Sequence, residues 1–374
     1  MRPGLVAVSI VPTGLGASIG GYAGDAAPAT NLLASACDLL ITHPNALNAA
    51  SLFSRRENVW YVEGAALDRF CLGAWRLRPS RTQRIGLLID RAIADADPEG
   101  LTHLLTAADA CRAVHGVDLI GWHATPERVD SRIVLGVDGT SFGELANPEA
   151  LVAGGRFLLE RGATAIALVT RMPEAPEEAV DAYLRGHGPD PIGGLEAILS
   201  HVLTLALQVP CAHAPYEPPE FVGRVDPRAA AESVGYTYLP CVLQGLAKAP
   251  DLAWSTDRAS GPDRFPPWMG GDVQHGWVGF DQVGAVVAPW GACGGLPMFA
   301  AQAAGIPLIA VRDNLVATSA DPRSLGFTNV IEVESYLAAA GALLALREGV
   351  AIAALQRPLA PLPCLSAVEA STTA

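Results

Sequence analysis

Apolar runs rich in β-branched residues recur along the chain, and they alternate with segments whose apolar positions fall three and four residues apart. The runs predict strands at Leu5–Val11, Asp38–Thr42, Val59–Val62, Ile85–Asp90, Asp118–Trp122 and Ala165–Thr170. Further strands are predicted at Gln208–Ala212, Ala285–Ala288, Leu308–Val311 and Asn329–Glu332. Between them lie helical segments, most clearly Pro98–His115 and Asn147–Arg161, each opened by a capping residue and proline (Asp97-Pro98, Asn147-Pro148). Strand and helix in alternation is the pattern of a parallel sheet covered by helices.

At 374 residues the chain exceeds what one core usually serves, so two α/β lobes are expected, over 1–178 and 179–356. The fold class follows: two Rossmann-like parallel-sheet lobes with a cleft between them. The stretch from Ala253 to Gly279 breaks the alternation, with Trp254, Trp268 and Trp277 among prolines, glycines and polar residues. It reads as a functional loop or lid, because disordered linkers seldom carry tryptophan. Residues 357–374 are rich in Pro, Ser and Thr and read as a flexible tail.

Composition narrows the chemistry. A net charge of −13 disfavours nucleic acid and anionic membranes as partners, since both reward clustered Lys and Arg. No window is long and apolar enough for a membrane span. The chain enters its first strand within a few residues of Met1, which leaves no room for a signal peptide. Seven cysteines are scattered without framework spacing, which fits a reducing, cytoplasmic compartment. Lys248 is the only lysine, and it sits at the end of a helical segment. A pyridoxal phosphate anchor or a P-loop lysine is therefore missing. No cofactor is expected, and a homo-oligomer is left open.

Ligands of open parallel sheets bind beyond the carboxyl ends of the strands, so the residues after each strand are the site candidates. The first strand leads into Pro12–Asp25, with glycines at 14, 16, 20, 21 and 24. Gly16, Ser18, Gly20 and Gly21 are candidates to hold a ligand by backbone amides. Ile19 stands where a dinucleotide fingerprint needs its third glycine, and the second strand ends at His43 rather than an acid, so NAD is disfavoured. His43, Asn45 and Asn48 gather after that second strand, and Asp90-Arg91, His123 and Arg171 end later ones. A second Gly-rich loop, Arg185–Glu196, brings Gly193 and Gly194 to the start of an apolar helix, Leu195–Leu207. Cys211 and His213 follow, without the companion ligands that a metal site needs, and no metal is assigned. The third loop, Val286–Pro297, carries Cys293, Gly294 and Gly295 ahead of a helix, and the next strand ends at Arg312-Asp313-Asn314.

The phrases Gly14–Asp25, Thr42–Asn48 and Gly291–Asn314 resemble an uncharacterised protein family of cyanobacteria, other bacteria and plants. That resemblance spans most of the chain and implies no reaction. The unit from Val286 to Val311 resembles the nucleotide-diphosphate site of glycosyltransferases built from two Rossmann-like domains, with Gln302 nearest to where those enzymes place a ribose-holding Glu. Gly154–Ile166 is similar to a segment of aspartate/glutamate racemases, but Arg171 stands where their mechanism needs a cysteine.

Three functions are consistent with these features. The leading one is a transferase or hydrolase acting on a small carboxylate- or phosphate-bearing metabolite between the lobes. Its candidate acid–base residues are His43, His123, His213 and Asp90. Its ligand contacts would come from the Gly-rich loops, Asn45, Asn314, and Arg171 or Arg312 as counter-charge. The second makes Cys293, at a helix N-terminus, the nucleophile of a hydrolase or isomerase. The third is a non-catalytic small-molecule-binding protein.

Overall fold

The computed structural model describes residues 4–359 and 361–362, apart from 23, 54, 138, 217–237 and 256–275. Most of the expected lid, with Trp268, and most of the tail lie outside the described residues. The strands are β1 (Val6–Ser9), β2 (Leu39–Thr42), β3 (Val59–Tyr61), β4 (Trp75–Arg78), β5 (Ile85–Ile89), β6 (Leu119–Ala124) and β7 (Ser131–Leu135). Next come β8 (Ser141–Leu145), β9 (Ala165–Arg171), β10 (Cys211–Tyr216), β11 (Asp251–Trp254), β12 (Val283–Pro289), β13 (Leu308–Val311) and β14 (Val330–Val333). Helices α1 (Ala27–Ser35), α2 (Pro44–Phe53), α3 (Gly64–Cys71), α4 (Arg91–Ala96) and α5 (Pro98–His115) precede α6 (Pro148–Leu159), α7 (Glu177–Leu184) and α8 (Gly193–Leu207). Later helices span Tyr238–Ala247, Leu296–Ala304 and Tyr336–Glu348.

Two all-parallel sheets carry the fold. One has six strands in the order β14-β13-β12-β1-β2-β3, the other four in the order β10-β9-β5-β6. Strands β2, β5 and β13 are buried at every position, which is why their sequences are continuous apolar runs without a polar face. Four short strands escaped the sequence reading: β4 pairs with β11 and β7 with β8, both antiparallel.

The sheets divide the chain differently from a boundary at residue 178. The six-stranded sheet takes β1–β3 from the first part of the chain and β12–β14 from the last, joined where β12 lies against β1. The four-stranded sheet lies between them in sequence, and its neighbours β9 and β10 fall on either side of 178. An apolar parallel strand such as β1 needs a neighbour on both sides, and the returning chain supplies the second one. The lobes share a core, since one apolar cluster joins Ala7, Leu40 and Tyr61 of the first sheet to Leu87, Val169 and Ala212 of the second. On the other side, α3 beneath the first sheet meets α8 beneath the second.

The first two Gly-rich loops meet at Ser141, the first residue of β8. Its amide donates to the Gly14 carbonyl at 3.0 Å, and its hydroxyl donates to the Pro191 carbonyl at 2.7 Å. A Cβ on Gly14, whose φ is +75°, would lie 2.4 Å from the Ser141 carbonyl oxygen, and one on Gly194 would lie 2.0 Å from it. These glycines are there because another backbone passes over them. Gly194→Ala is accordingly expected to cost about 1–3 kcal/mol through overpacking against a backbone that cannot swing aside. A urea unfolding midpoint that does not move would contradict this role.

Candidate functional site

A cavity of about 530 Å³ opens beyond the strand ends of both sheets. Its wall carries His43 after β2, Glu63 and Asp68 of α3, Glu196, Ser200 and His201 of α8, and His213 of β10. Gly294 and Gly295, ahead of the helix Leu296–Ala304, complete it. Three carboxylates and three imidazoles face one space. Among the described lining residues there is no Arg or Lys.

Glu63 organises this wall. It is the N-cap of α3, where one carboxylate oxygen accepts from the amides of Ala65 (2.9 Å) and Ala66 (3.3 Å). Two orphan N–H groups and the positive end of the helix thus hold a buried negative charge. The other oxygen accepts from the Ser200 hydroxyl at 3.2 Å and from Nδ1 of His201. The Glu63 side chain is 1% exposed, whereas His201 keeps 39% of its side-chain surface accessible. Burial alone would push the His201 pKa down, but the hydrogen bond and charge of Glu63 outweigh it and the net shift is upward. With Nδ1–H committed to Glu63, Nε2 is the nitrogen that can exchange a proton with a ligand. Gly64 leaves space for the ring, since a Cβ there would lie 2.8 Å from Cε1 of His201.

The other two histidines are neutral. His213 engages both ring nitrogens, Nδ1 with Glu196 at 3.1 Å and Nε2 with the Thr170 hydroxyl at 2.9 Å. Burial pushes its pKa down to about 3. It therefore orients Glu196 and has no free nitrogen for proton transfer. His43 accepts the Val11 amide on Nε2 at 3.0 Å, and burial, then the charge of His201, lowers it to about 4. Asp68 is shifted up, first by burial, against the lowering effect of His201.

Of the residues expected from sequence, the cavity gathers His43, Asn45, Asn48, Gly193, His213, Gly294 and Gly295. The others lie elsewhere, for identifiable reasons. Asp90 caps α4 and accepts the amides of Ala92 (3.1 Å) and Val129 (3.2 Å). His123, on the edge strand β6, stacks on Phe157. Cys293 is fully buried in the core beneath the first sheet, and burial raises its thiol to about 12, opposite to what a nucleophile needs. Gly16, Gly20 and Gly21 pack against Pro189, Val11 and Ala17.

The polar candidates of the loops are engaged too. Ser18 donates to the Leu315 carbonyl by both amide (2.8 Å) and hydroxyl (3.3 Å). Asn314 clamps Ile19 by exchanging two hydrogen bonds of 2.9 Å. Asn45, although it lines the cavity, donates its amide to the Gly20 carbonyl at 2.6 Å. Arg171 is exposed at the end of β9, and Arg312 pairs with Glu332 while lying over Trp290 at 3.6 Å. No described cluster of three or more His, Cys, Asp or Glu is arranged to hold a metal ion.

Sequence reasoning missed Glu63, Asp68, His201 and the face of α8 that carries Glu196 and Ser200. Glu63 follows β3 by two residues, so the strand-end rule reaches it. Glu196, Ser200 and His201 stand four and five positions apart, on one face of a helix read only as apolar.

The family described as "Protein of unknown function (DUF3326)" matches residues 6–356, and the chain belongs to that family. An uncharacterized lipoprotein of a Synechococcus strain is 39% identical over 353 residues, covering 94% of this chain and 93% of its own. A nucleotide-free structure of acetone carboxylase is 11% identical and covers 41% of this chain and 20% of that one. Its TM-score of 0.18 carries no argument about fold. Among the described residues, no helix is long and apolar enough to cross a membrane.

The neutral histidines make stability depend on acid. His43 and His213 have folded pKa values of about 4 and about 3, below the unfolded value of about 6.5. Their contribution is present above about pH 6.5 and is lost as pH falls toward the folded values. As pH falls from about 6.5 to 5, proton uptake on unfolding by this pair should rise from about one toward about two, and by about half as much in His213→Gln. The difference between the two proteins in the pH dependence of the denaturant midpoint reads the His213 share. Equal slopes for the two proteins would contradict the assignment.

Proposed function

We propose that this member of the family is an enzyme acting on a small polar metabolite, with the Glu63–His201 pair as its acid–base centre. The observation that carries the reading is the pair itself. A fully buried, helix-capping carboxylate holds one nitrogen of an imidazole that lines the cavity and keeps 39% of its side-chain surface accessible. Carboxylate and imidazole in that order fix tautomer and orientation and raise the basicity of the free nitrogen. A histidine serving only as packing would gain nothing from an accessible nitrogen.

The lining also bears on the substrate. Three carboxylates without a described Arg or Lys disfavour a dianionic phosphate. The amides around Gly294 and Gly295, with the start of the helix Leu296–Ala304, suit one carboxylate-sized group. The expectation of a phosphate-bearing ligand with an arginine counter-charge therefore narrows to a substrate of at most one negative charge. The scattered, buried cysteines among the described residues are consistent with work in a reducing compartment.

A thermal-shift screen of neutral and monocarboxylate metabolites, followed by a turnover assay on the hits, tests this. His201→Asn and Glu63→Gln should each lower kcat by about 10²-fold or more while the ligand still binds. Undiminished turnover in His201→Asn would overturn the reading. Gly64→Ala should lower kcat by displacing the same ring, with a smaller effect on ligand binding.

A further inference from the structure

We propose that His43 is a neutral hydrogen-bond donor, presenting Nδ1–H to a carbonyl oxygen of the substrate while His201 beside it carries the proton. The proposal rests on the catalytic reading of the cavity and adds the class of reacting group.

Geometry fixes the tautomer. Nε2 of His43 accepts the Val11 amide at 3.0 Å, at the point where the chain leaves β1. A ring nitrogen that accepts a hydrogen bond carries no proton, so in the neutral ring the proton is on Nδ1. Protonating Nε2 would set two N–H groups against each other and orphan a buried backbone amide. His43 lines the cavity with 8% of its surface exposed, and its Nδ1 is not among the buried polar atoms left without a partner in the described residues, which fits an Nδ1 that meets the cavity. An N–H at a cavity wall takes its acceptor from what occupies the cavity, so a ligand oxygen can stand there.

The surroundings favour a neutral ring. His201 faces it from α8, and a positive charge there opposes a second one on His43. From α2, Asn45 donates its amide to backbone carbonyls, and Asn48 accepts the Tyr61 hydroxyl at 2.8 Å. The positive end of α2, which begins at Pro44, opposes the imidazolium as well. A neutral imidazole placed this way polarises a carbonyl without adding charge, and it strengthens its hydrogen bond as negative charge grows on the oxygen. That suits a cavity with no described Arg or Lys, where an already charged oxyanion has no counter-ion. Two histidines of one cavity thus divide the labour: His43 donates from a fixed proton, and His201 gains and loses one.

Nitrogen-15 NMR of the histidine rings in the full chain tests the proposal, with His43 assigned through His43→Gln. Should that variant fail to fold, the contact between the Val11 amide and the ring assigns the signal. The expected result is an Nδ1–H tautomer that stays neutral from about pH 8 to 5, while His201 titrates above its ordinary value. Dihydroxyacetone and glyoxylate, used as carbonyl probes, should move the Nδ1–H resonance downfield, and inorganic phosphate should leave it in place. An Nε2–H tautomer, an imidazolium near neutrality, or an Nδ1–H resonance indifferent to both carbonyl probes would overturn the proposal. Because His201→Asn leaves the Val11 contact intact, the tautomer and the acid–base reading fail independently.

Discussion

The carboxylate of Glu63 is the interaction on which the arrangement of the site depends. It starts α3 by capping it, ties α3 to α8 through Ser200, and fixes the His201 ring. A charge this deeply buried is tolerated because four donors surround it. Breaking such a pair from one side costs more than the pair contributes, because an uncompensated charge remains in the interior. Where the two lobes meet at their lower layers, one side chain therefore sets both the helix junction and the orientation of His201.

Around that centre the cavity is built by restraint. His213 spends both nitrogens on Thr170 and Glu196, and His43 spends one on Val11, so burial holds both rings neutral. Only His201 combines an upward shift with an accessible surface. The three imidazoles look equivalent as residue types and differ through their partners alone. The Gly-rich loops play a comparable double role. Gly14 and Gly194 let backbones cross at Ser141, while Gly294 and Gly295 stand at the cavity wall.

Much of the fold was legible in the sequence, because strands buried on both faces write themselves as apolar runs. The runs at Ile85–Asp90 and Leu308–Val311 mark β5 and β13 almost to the residue. Pairing was not legible, since β1 is equally apolar toward β2 and β12, and only the folded chain shows that its two ends share a sheet. Strand-end logic found His43 and reached His213. It extends to Glu63, two residues beyond β3, which was passed over, and it cannot see His201, which sits well inside a helix. Glycines misled most. A glycine needed for close approach of another backbone reads in sequence like one needed for a ligand, as Gly20 and Gly21 show. Cys293 misled for a related reason. A helix N-terminus favours a thiolate only if the sulfur reaches solvent or charge, and this one points into the core.

The chain belongs to a family described without a function, and its cavity holds the Glu63–His201 pair. The central claim is that Glu63 sets the basicity of His201. An NMR titration of His201 in the wild-type chain and in Glu63→Gln measures this without a substrate. The account predicts a pKa above the ordinary value of about 6.5 in the wild type. In Glu63→Gln only the charge of Asp68 still opposes burial, and the value falls below that of the wild type. A His201 that titrates at the same pH in both proteins would contradict it.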